Sequence, residues 1–258
     1  MTLPMPRMIP LMLAMSLGAA AHAQSPAGDP LLTAAPRTLQ PEQIASMQAR
    51  LQDWPQLGHY RGQNAALPAA QPGTPRVVFY GDSITEGWGT TGSAGFFPGK
   101  GYINRGISGQ TTAQMLLRFR QDVVDLKPAV VVILAGTNDI AGNTGPATQA
   151  MIEDNLQSML DIAQVHHIRV VLSSVLPVSA YPWRPGLQPA GQVRALNQRL
   201  QRVAGERGLI YLDYHQQMSN AEGGLDPVLA ADGVHPTAAG YARMAPLAQA
   251  AVEAALAR

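Results

Sequence analysis

The sequence contains no cysteine among its 258 residues, and few of them are charged. The missing cysteines exclude disulfides, thiolate nucleophiles and every cysteine-ligated metal site. Charged residues make up 14% of the chain, the formal net charge is +1, and no run of Lys or Arg occurs. We therefore expect neither nucleic acid nor an anionic membrane surface as a partner. Hydrophobic residues account for 46%, which is enough for one well-covered core without disulfides.

The N-terminal residues have a composition of their own. Arg7 is the only charged residue of the segment 1–23, residues 8–21 are mostly apolar, and small residues surround a cleavage position after Ala23. This order is typical of a secretory signal peptide. We predict that residues 1–23 are removed during export to the periplasm or the extracellular space, with no stable membrane insertion afterwards. An uncleaved anchor is the alternative, although the apolar run is short for a bilayer span.

The rest of the chain divides into an N-terminal segment at 24–75 and one domain at 76–258. Residues 25–36 consist mainly of Ala, Pro, Gly and Asp, which is typical of a flexible lead-in. Four apolar residues at helical spacing follow, namely Ile44, Met47, Leu51 and Trp54. Their spacing predicts a helix over 40–54 that packs outside the main sheet.

Strand and helix patterns alternate through the domain. Short apolar runs predict five strands, at residues 77–80, 102–104, 130–135, 169–175 and 209–213. Apolar stripes at helical spacing lie between them, namely Met115, Phe119 and Val123; Ile152, Leu156, Met159 and Ala163; and Val193, Leu196, Leu200 and Val203. A last helix is predicted from Thr237 to Ala255, kinked or divided at Pro246. This alternation predicts an α/β sandwich whose five-stranded parallel sheet is covered on both faces.

Three common motifs for nucleotide binding and nucleophilic catalysis are absent or out of place. The letters "GWGTTG" at 87–92 match G-x-G-x-x-G, but the predicted strand ends at Tyr80 and no acidic residue stands about twenty residues further on. The Walker A pattern does not occur. The elbow G-x-S-x-G fails because Thr85 stands two residues after Ser83.

The loops that follow the strands are where a parallel sheet binds its ligands, and Ser83 follows the first strand. Ser83 is either a nucleophile or a serine that starts a turn. A serine nucleophile needs a base that is held in one tautomer by an acceptor. Among six histidines only His235 stands near an acid in a suitable loop, three residues after Asp232 in "DGVHP". A helix cap explains that pair equally well.

Two further loops contain groups suited to stabilise an oxyanion. Gly106 and Gly109 in "NRGISGQTT" lack side chains, so their backbone N–H groups can approach a ligand closely. Asn138 in "GTND" offers a side-chain amide. Each loop alone is explained by an ordinary turn, but all of them lie on one edge of the predicted sheet.

These residues make the sequence resemble the SGNH hydrolases, also called the GDSL esterase and lipase family. Its four blocks occur in order, as "GDS" with Ser83, "NRGISG" with Gly109, "GTND" with Asn138, and "DGVH" with Asp232 and His235. The resemblance covers most of the chain after residue 23. The first block reads "GDSI" where the family has Leu, an exchange between two aliphatic residues.

The resemblance implies a flavodoxin-like three-layer α/β/α sandwich and a serine ester hydrolase. It implies Ser83 as nucleophile, His235 as base and Asp232 as the acid that orients it. The oxyanion hole would combine the N–H groups of Ser83 and Gly109 with the side chain of Asn138. No metal or organic cofactor is expected. The reaction would be acyl transfer to water through an acyl-enzyme on Ser83.

The substrate class is left more open by the sequence. Tyr181, Trp183 and Arg184 lie among prolines in the loop after the fourth strand, where they either stack on a sugar ring or cover the core. Neither this loop nor residues 89–101 has a long apolar stretch, so short acyl or acetyl esters are favoured, some of them carbohydrate-linked. Lysophospholipase, thioesterase and acyltransferase activities are alternatives, as is a carbohydrate-binding protein with a vestigial site. The oligomeric state is not predicted.

Overall fold

The computed structural model of the chain describes residues 40–69, 73–90 and 95–258. The predicted signal peptide and the lead-in at 25–36 lie outside the described residues. Part of the "GWGTTG" segment does so as well.

The central feature is a parallel sheet of five strands. The strands are β1 Val77–Gly81, β2 Ile103–Gly106, β3 Val130–Leu134, β4 Arg169–Ser173 and β5 Ile210–Leu212. Their order in the sheet is β2-β1-β3-β4-β5, and every neighbouring pair is parallel. β2 therefore lies on one side of β1, and β3, β4 and β5 lie on the other, so the strand order reverses between β2 and β3. In such sheets ligands bind at the carboxyl ends of the strands beside this reversal.

Helices cover both faces of the sheet. The helices are α1 Pro41–Gln52, α2 Arg61–Ala66, α3 Ser83–Glu86, α4 Thr112–Asp122, α5 Thr137–Ile140, α6 Gln149–Val165, α7 Ala190–Glu206, α8 Tyr214–Met218 and α9 Ala238–Leu256. The buried stripes of α4, α6 and α7 pack on one face, against residues such as Tyr80 and Ile133. The apolar face of α9 packs on the other, against residues such as Phe79 and Val132. The predicted three-layer sandwich is confirmed.

Two expectations about the helices need correction. Helix α9 continues through Pro246, so division at this residue is wrong, whereas a kink there stays a prediction. Helix α1 is present, but its side chains Ile44, Met47 and Leu51 are exposed. Its apolar stripe is therefore not packed against the body of the protein. Trp54, which follows the helix, is half-buried.

The residues that follow α1 are fixed to the domain by hydrogen bonds. Asn64 of α2 donates to the carboxylate of Asp122 and accepts from Arg105 Nε. The Tyr60 hydroxyl donates to the carbonyl of Gly106 at the end of β2. The N-terminal segment is thereby held beside the edge of the sheet that β2 and α4 form.

Candidate active site

Ser83 is the first residue of α3, a single helical turn that begins directly after β1. The side chain of Asp82 caps this turn by accepting from the backbone N–H of Ile84 at 3.0 Å. The turn lies very close to β2, because a Cβ added to Gly106 would stand 2.1 Å from the backbone nitrogen of Glu86. Ser83 therefore both starts a turn and presents its hydroxyl at the edge of the sheet.

The structure brings Ser83, His235 and Asp232 into one hydrogen-bonded row. Ser83 Oγ lies 2.9 Å from His235 Nε2, and His235 Nδ1 lies 2.7 Å from Asp232 Oδ2. Because an ionised carboxylate only accepts, Nδ1 carries the proton and the Nε2 lone pair faces the serine hydroxyl. This is the arrangement in which an imidazole can take a proton from a serine.

The loop that holds His235 is organised by Asp232 itself. Asp232 Oδ1 accepts from the backbone N–H groups of Val234 and His235, at 2.9 and 2.8 Å, so one carboxylate fixes both the loop and the ring. Burial raises the pKa of Asp232, but the hydrogen bonds from the His235 ring and from these N–H groups outweigh it, and the net pKa is lowered. Asp232 therefore stays ionised at neutral pH and accepts from the ring.

Asp82 has the opposite electrostatic environment. Its side chain is fully buried, and burial raises the pKa of Asp82 to about 7, against a smaller lowering by the Ile84 N–H. The adjacent Asp139 is also buried, and burial raises its pKa to about 6 although Thr112 donates to it. Burial therefore disfavours the charged form of both carboxyls, whereas Asp232, which accepts from the histidine, stays ionised.

The backbone N–H groups of Ser83 and Gly109 have no acceptor among the described residues. Gly109 has a φ of +76°, a conformation that favours glycine. Glu86 holds the preceding residue in place, because it accepts from both the N–H and the hydroxyl of Ser108. N–H groups that have no acceptor and lie on an anchored backbone are suited to stabilise negative charge on a reacting oxygen.

Asn138 lies in α5, directly after β3, and is almost fully buried. Its Nδ2 group donates to the carbonyl of Gln110 at 3.0 Å and to Asp82 Oδ2 at 3.2 Å. Both hydrogens of the amide are therefore engaged. The longer bond, to Asp82, has to be exchanged before Asn138 can donate to an oxyanion.

Two residues that the sequence analysis did not assign to the site fix the orientation of Asn138. Trp183 Nε1 donates to Asn143 Oδ1 at 3.1 Å, and Asn143 Nδ2 donates to Asn138 Oδ1 at 2.7 Å. An indole nitrogen can only donate, so Asn143 presents its oxygen to Trp183 and its Nδ2 group to Asn138. Asn138 in turn presents its oxygen to Asn143. Nothing in the sequence pattern marks Asn143, which is an exposed residue after α5.

The two aromatic residues in the loop after β4, Tyr181 and Trp183, differ in burial. Tyr181 is buried, and its hydroxyl bonds Thr137. Trp183 is 37% exposed, with its ring 5.1 Å from the Tyr181 ring and 6.0 Å from the His235 ring. Trp183 therefore forms an accessible wall beside His235.

A buried arginine ties the serine turn to the neighbouring strand. Arg118 donates to the carbonyls of Gly81 and Arg105, at 2.9 and 3.0 Å, and forms an ion pair with Asp122 at 3.1 Å. Its guanidinium lies over the ring of Tyr80, 4.3 Å from the centroid. The residue before Asp82 is thus fixed by a paired, buried charge that the sequence pattern did not reveal.

A cluster of acidic and histidine side chains or a long apolar helix would indicate another kind of site. Within 40–69, 73–90 and 95–258, no three or more acidic or histidine side chains cluster closely enough to hold a metal ion. Over the same ranges, no helix is both long and apolar enough to cross a membrane.

Comparison with known proteins gave matches to ester-cleaving enzymes. A family model described as the GDSL-like lipase/acylhydrolase family matches residues 79–243. A GDSL-like lipase from Bacteroides thetaiotaomicron, known as a crystal structure, is 43% identical with a TM-score of 0.75, covering 78% of this chain and 99% of that one. Esterase TesA of Pseudomonas aeruginosa is 28% identical over 190 residues, 69% of this chain and 88% of that protein.

A shorter match links the chain to an uncharacterized lipoprotein, YqeF of Bacillus subtilis. The two are 35% identical over 79 residues, which are 30% of this chain and 32% of that protein. The match spans less than a third of YqeF.

Proposed function

The chain belongs to the GDSL-like lipase/acylhydrolase family, and we propose that it is an exported carboxylic ester hydrolase that works through an acyl-enzyme on Ser83. The family itself is one of hydrolases acting on esters. The observation that carries the residue assignment is the row of contacts from Ser83 Oγ to His235 Nε2 at 2.9 Å and from His235 Nδ1 to Asp232 Oδ2 at 2.7 Å.

In the proposed reaction, His235 takes the proton of Ser83 as Oγ attacks the ester carbonyl. The N–H groups of Ser83 and Gly109, joined by the Asn138 amide, stabilise the negative oxygen that forms. The protonated ring then gives its proton to the alkoxide that leaves, and the acyl group remains on Ser83. Water, deprotonated by His235, attacks the acyl-enzyme, and Oγ leaves with the proton. Asp232 keeps the ring in the required tautomer throughout.

The side chains around the site indicate the length of the acyl chain of the substrate. Loops with few apolar residues favour short acyl groups, acetyl included, whereas exposed apolar residues of α1 beside Gly109 favour longer ones. We give more weight to α1, because its side chains form a surface next to the proposed oxyanion site. A lysophospholipase or thioesterase would use the same surface.

Acyl transfer to an alcohol is a second candidate function. It is favoured by Trp183, whose exposed ring beside His235 could hold a sugar ring in place of the attacking water. Product analysis with and without sugar acceptors distinguishes transfer from hydrolysis.

Export and domain organisation are part of the proposal. The apolar segment 8–21 and the small residues before position 24 support a cleaved signal peptide, leaving a mature chain of an N-terminal segment and a catalytic domain from residue 76. One relative, YqeF, is a lipoprotein, which supports the proposed export.

Hydrolysis of nitrophenyl acetate, butyrate and octanoate by the purified protein tests the proposed function. The variant Ser83→Ala should lose at least about a thousandfold in kcat, because no other group supplies the attacking oxygen. Ser158→Ala is the matched control, since Ser158 lies on α6 and bonds only its own helix. Near-full activity in Ser83→Ala would exclude Ser83 as the nucleophile.

A further inference from the structure

A groove of about 390 Å³ lies between the end of α1 and the Gly109 loop. Met47, Leu51 and Trp54 line one side of it. Gly109, Asn143 and Thr144 line the other. Helix α1 precedes residues 79–243, the part of the chain that matches the family model.

The apolar side of the groove is exposed to solvent. Met47 is 51% exposed and Leu51 is 73% exposed, although both stand on the apolar stripe of α1. Large apolar side chains that line a concave surface, next to polar groups that fix a reacting atom, are typical of a ligand site. The apolar stripe that the sequence predicted as a packing face is thus available to a ligand.

Hydrogen bonds hold the residues that directly follow α1 next to the proposed oxyanion site. Gln114 Nε2 donates to the carbonyl of Trp54 at 2.7 Å, and Gln110 Nε2 donates to the carbonyl of Pro55 at 3.0 Å. Gln110 directly follows Gly109 in the chain. The apolar wall and the N–H of Gly109 are therefore fixed to the same short segment.

The position of His235 decides which half of an ester enters the groove. His235 has to reach the leaving oxygen in order to protonate it, so the alcohol lies on the side of His235 and Trp183. The groove is lined by no residue of the His235 loop and begins at Gly109, where the carbonyl oxygen would bind. The remaining substituent of that carbonyl, the acyl chain, points into the groove.

Building on the proposed function, we propose that this groove binds the acyl chain of the substrate and that Met47 and Leu51 make the enzyme prefer acyl chains of roughly six to eight carbons to acetate. Each methylene that leaves water for the groove should raise kcat/KM by about two- to fourfold, less than in a closed pocket because the groove is open. The occupant is a flexible apolar chain, since the described residues of the lining include no charged side chain to pair with an ionic group.

Two variants of α1 test the proposal. Replacing both residues, Met47→Ala with Leu51→Ala, should lower the ratio of kcat/KM for nitrophenyl octanoate to that for nitrophenyl acetate by about tenfold. Ile44→Ala is the matched control, because Ile44 is an exposed apolar residue of the same helix that does not line the groove. Its ratio should equal that of the parent protein.

The outcomes separate this inference from the proposed function. Ser83-dependent hydrolysis in which the parent protein prefers acetate, or in which the double variant keeps the parent ratio, would overturn the acyl groove and leave the esterase standing. An unchanged ratio together with a dimer that becomes a monomer in the double variant would show that α1 is an interface between copies. No hydrolysis of any ester would overturn both proposals.

Discussion

The Ser83 loop and the His235 loop are built in different ways. Asp82, which caps the serine turn, is fully buried, whereas the side chains of Asp232 and His235 are 42% and 40% exposed. The serine turn contacts Gly106 backbone and is fixed from below by Arg118. His235 is fixed by the two oxygens of a single carboxylate, that of Asp232.

This difference shows which contacts fix the position of Ser83 and which fix the position of His235. The core of the sheet sets the position of Ser83, so a change there affects folding as well as catalysis. The position of His235 is set locally and near solvent, so a change there affects catalysis with less effect on the fold. The two aspartates, with pKa values shifted in opposite directions, provide a direct test of this contrast.

The larger effect on catalysis is expected from Asp232→Asn. The Asn oxygen can still accept from the N–H groups of Val234 and His235, but the amide would then donate to Nδ1. The ring would move its proton to Nε2, which could no longer take the proton of Ser83. We expect kcat for nitrophenyl acetate to fall by about a hundredfold or more, with an almost unchanged melting temperature.

Asp226→Asn is the control for that change, because Asp226 is an exposed residue of the preceding loop. It should keep the parent kcat. A loss below about tenfold in Asp232→Asn would show that the carboxylate does not determine the tautomer of His235.

A smaller effect, on stability, is expected from Asp82→Asn. The folded pKa of Asp82 is raised to about 7 from 3.8, so the folded state binds more protons than the unfolded state between these values. The free energy of unfolding of the parent protein should therefore fall as the pH rises through this window. The variant lacks this titration but keeps the cap on α3. Between about pH 5 and about pH 8, its free energy of unfolding should therefore fall by about 2 kcal/mol less than that of the parent protein.

Urea unfolding at both pH values measures this difference. Asp139, whose pKa is also raised, remains in both proteins, so its titration contributes to both curves. Asp125→Asn, at an exposed position after α4, should follow the pH dependence of the parent protein. Parallel curves for Asp82→Asn and the parent would show that Asp82 does not titrate in this window.

The sequence predicted the five strands and the three apolar stripes because burial imposes a simple period on them. Residues such as Met115, Ile152 and Leu196 are buried as expected. The predicted strand ends differ from those observed by up to two residues, as at β2, which continues to Gly106. Turn residues mark a strand end only approximately, since hydrogen bonding decides it.

Features that depend on distant partners were outside the reach of a single sequence. The short helices α3 and α5 follow strands without an apolar stripe, because one turn has no room for a period. The bond from Trp183 to Asn143 joins loops that are 40 positions apart. Helix α1 was predicted, but its exposure was not, since the same apolar spacing fits a packed face and a ligand groove.

The most direct test of the central claim is to label the active protein with a fluorophosphonate and to locate the adduct by peptide mass spectrometry. The account predicts one adduct, on Ser83, that forms far more slowly in His235→Ala because the serine then lacks its base. An adduct on another residue, or none in a preparation that still hydrolyses esters, would contradict it.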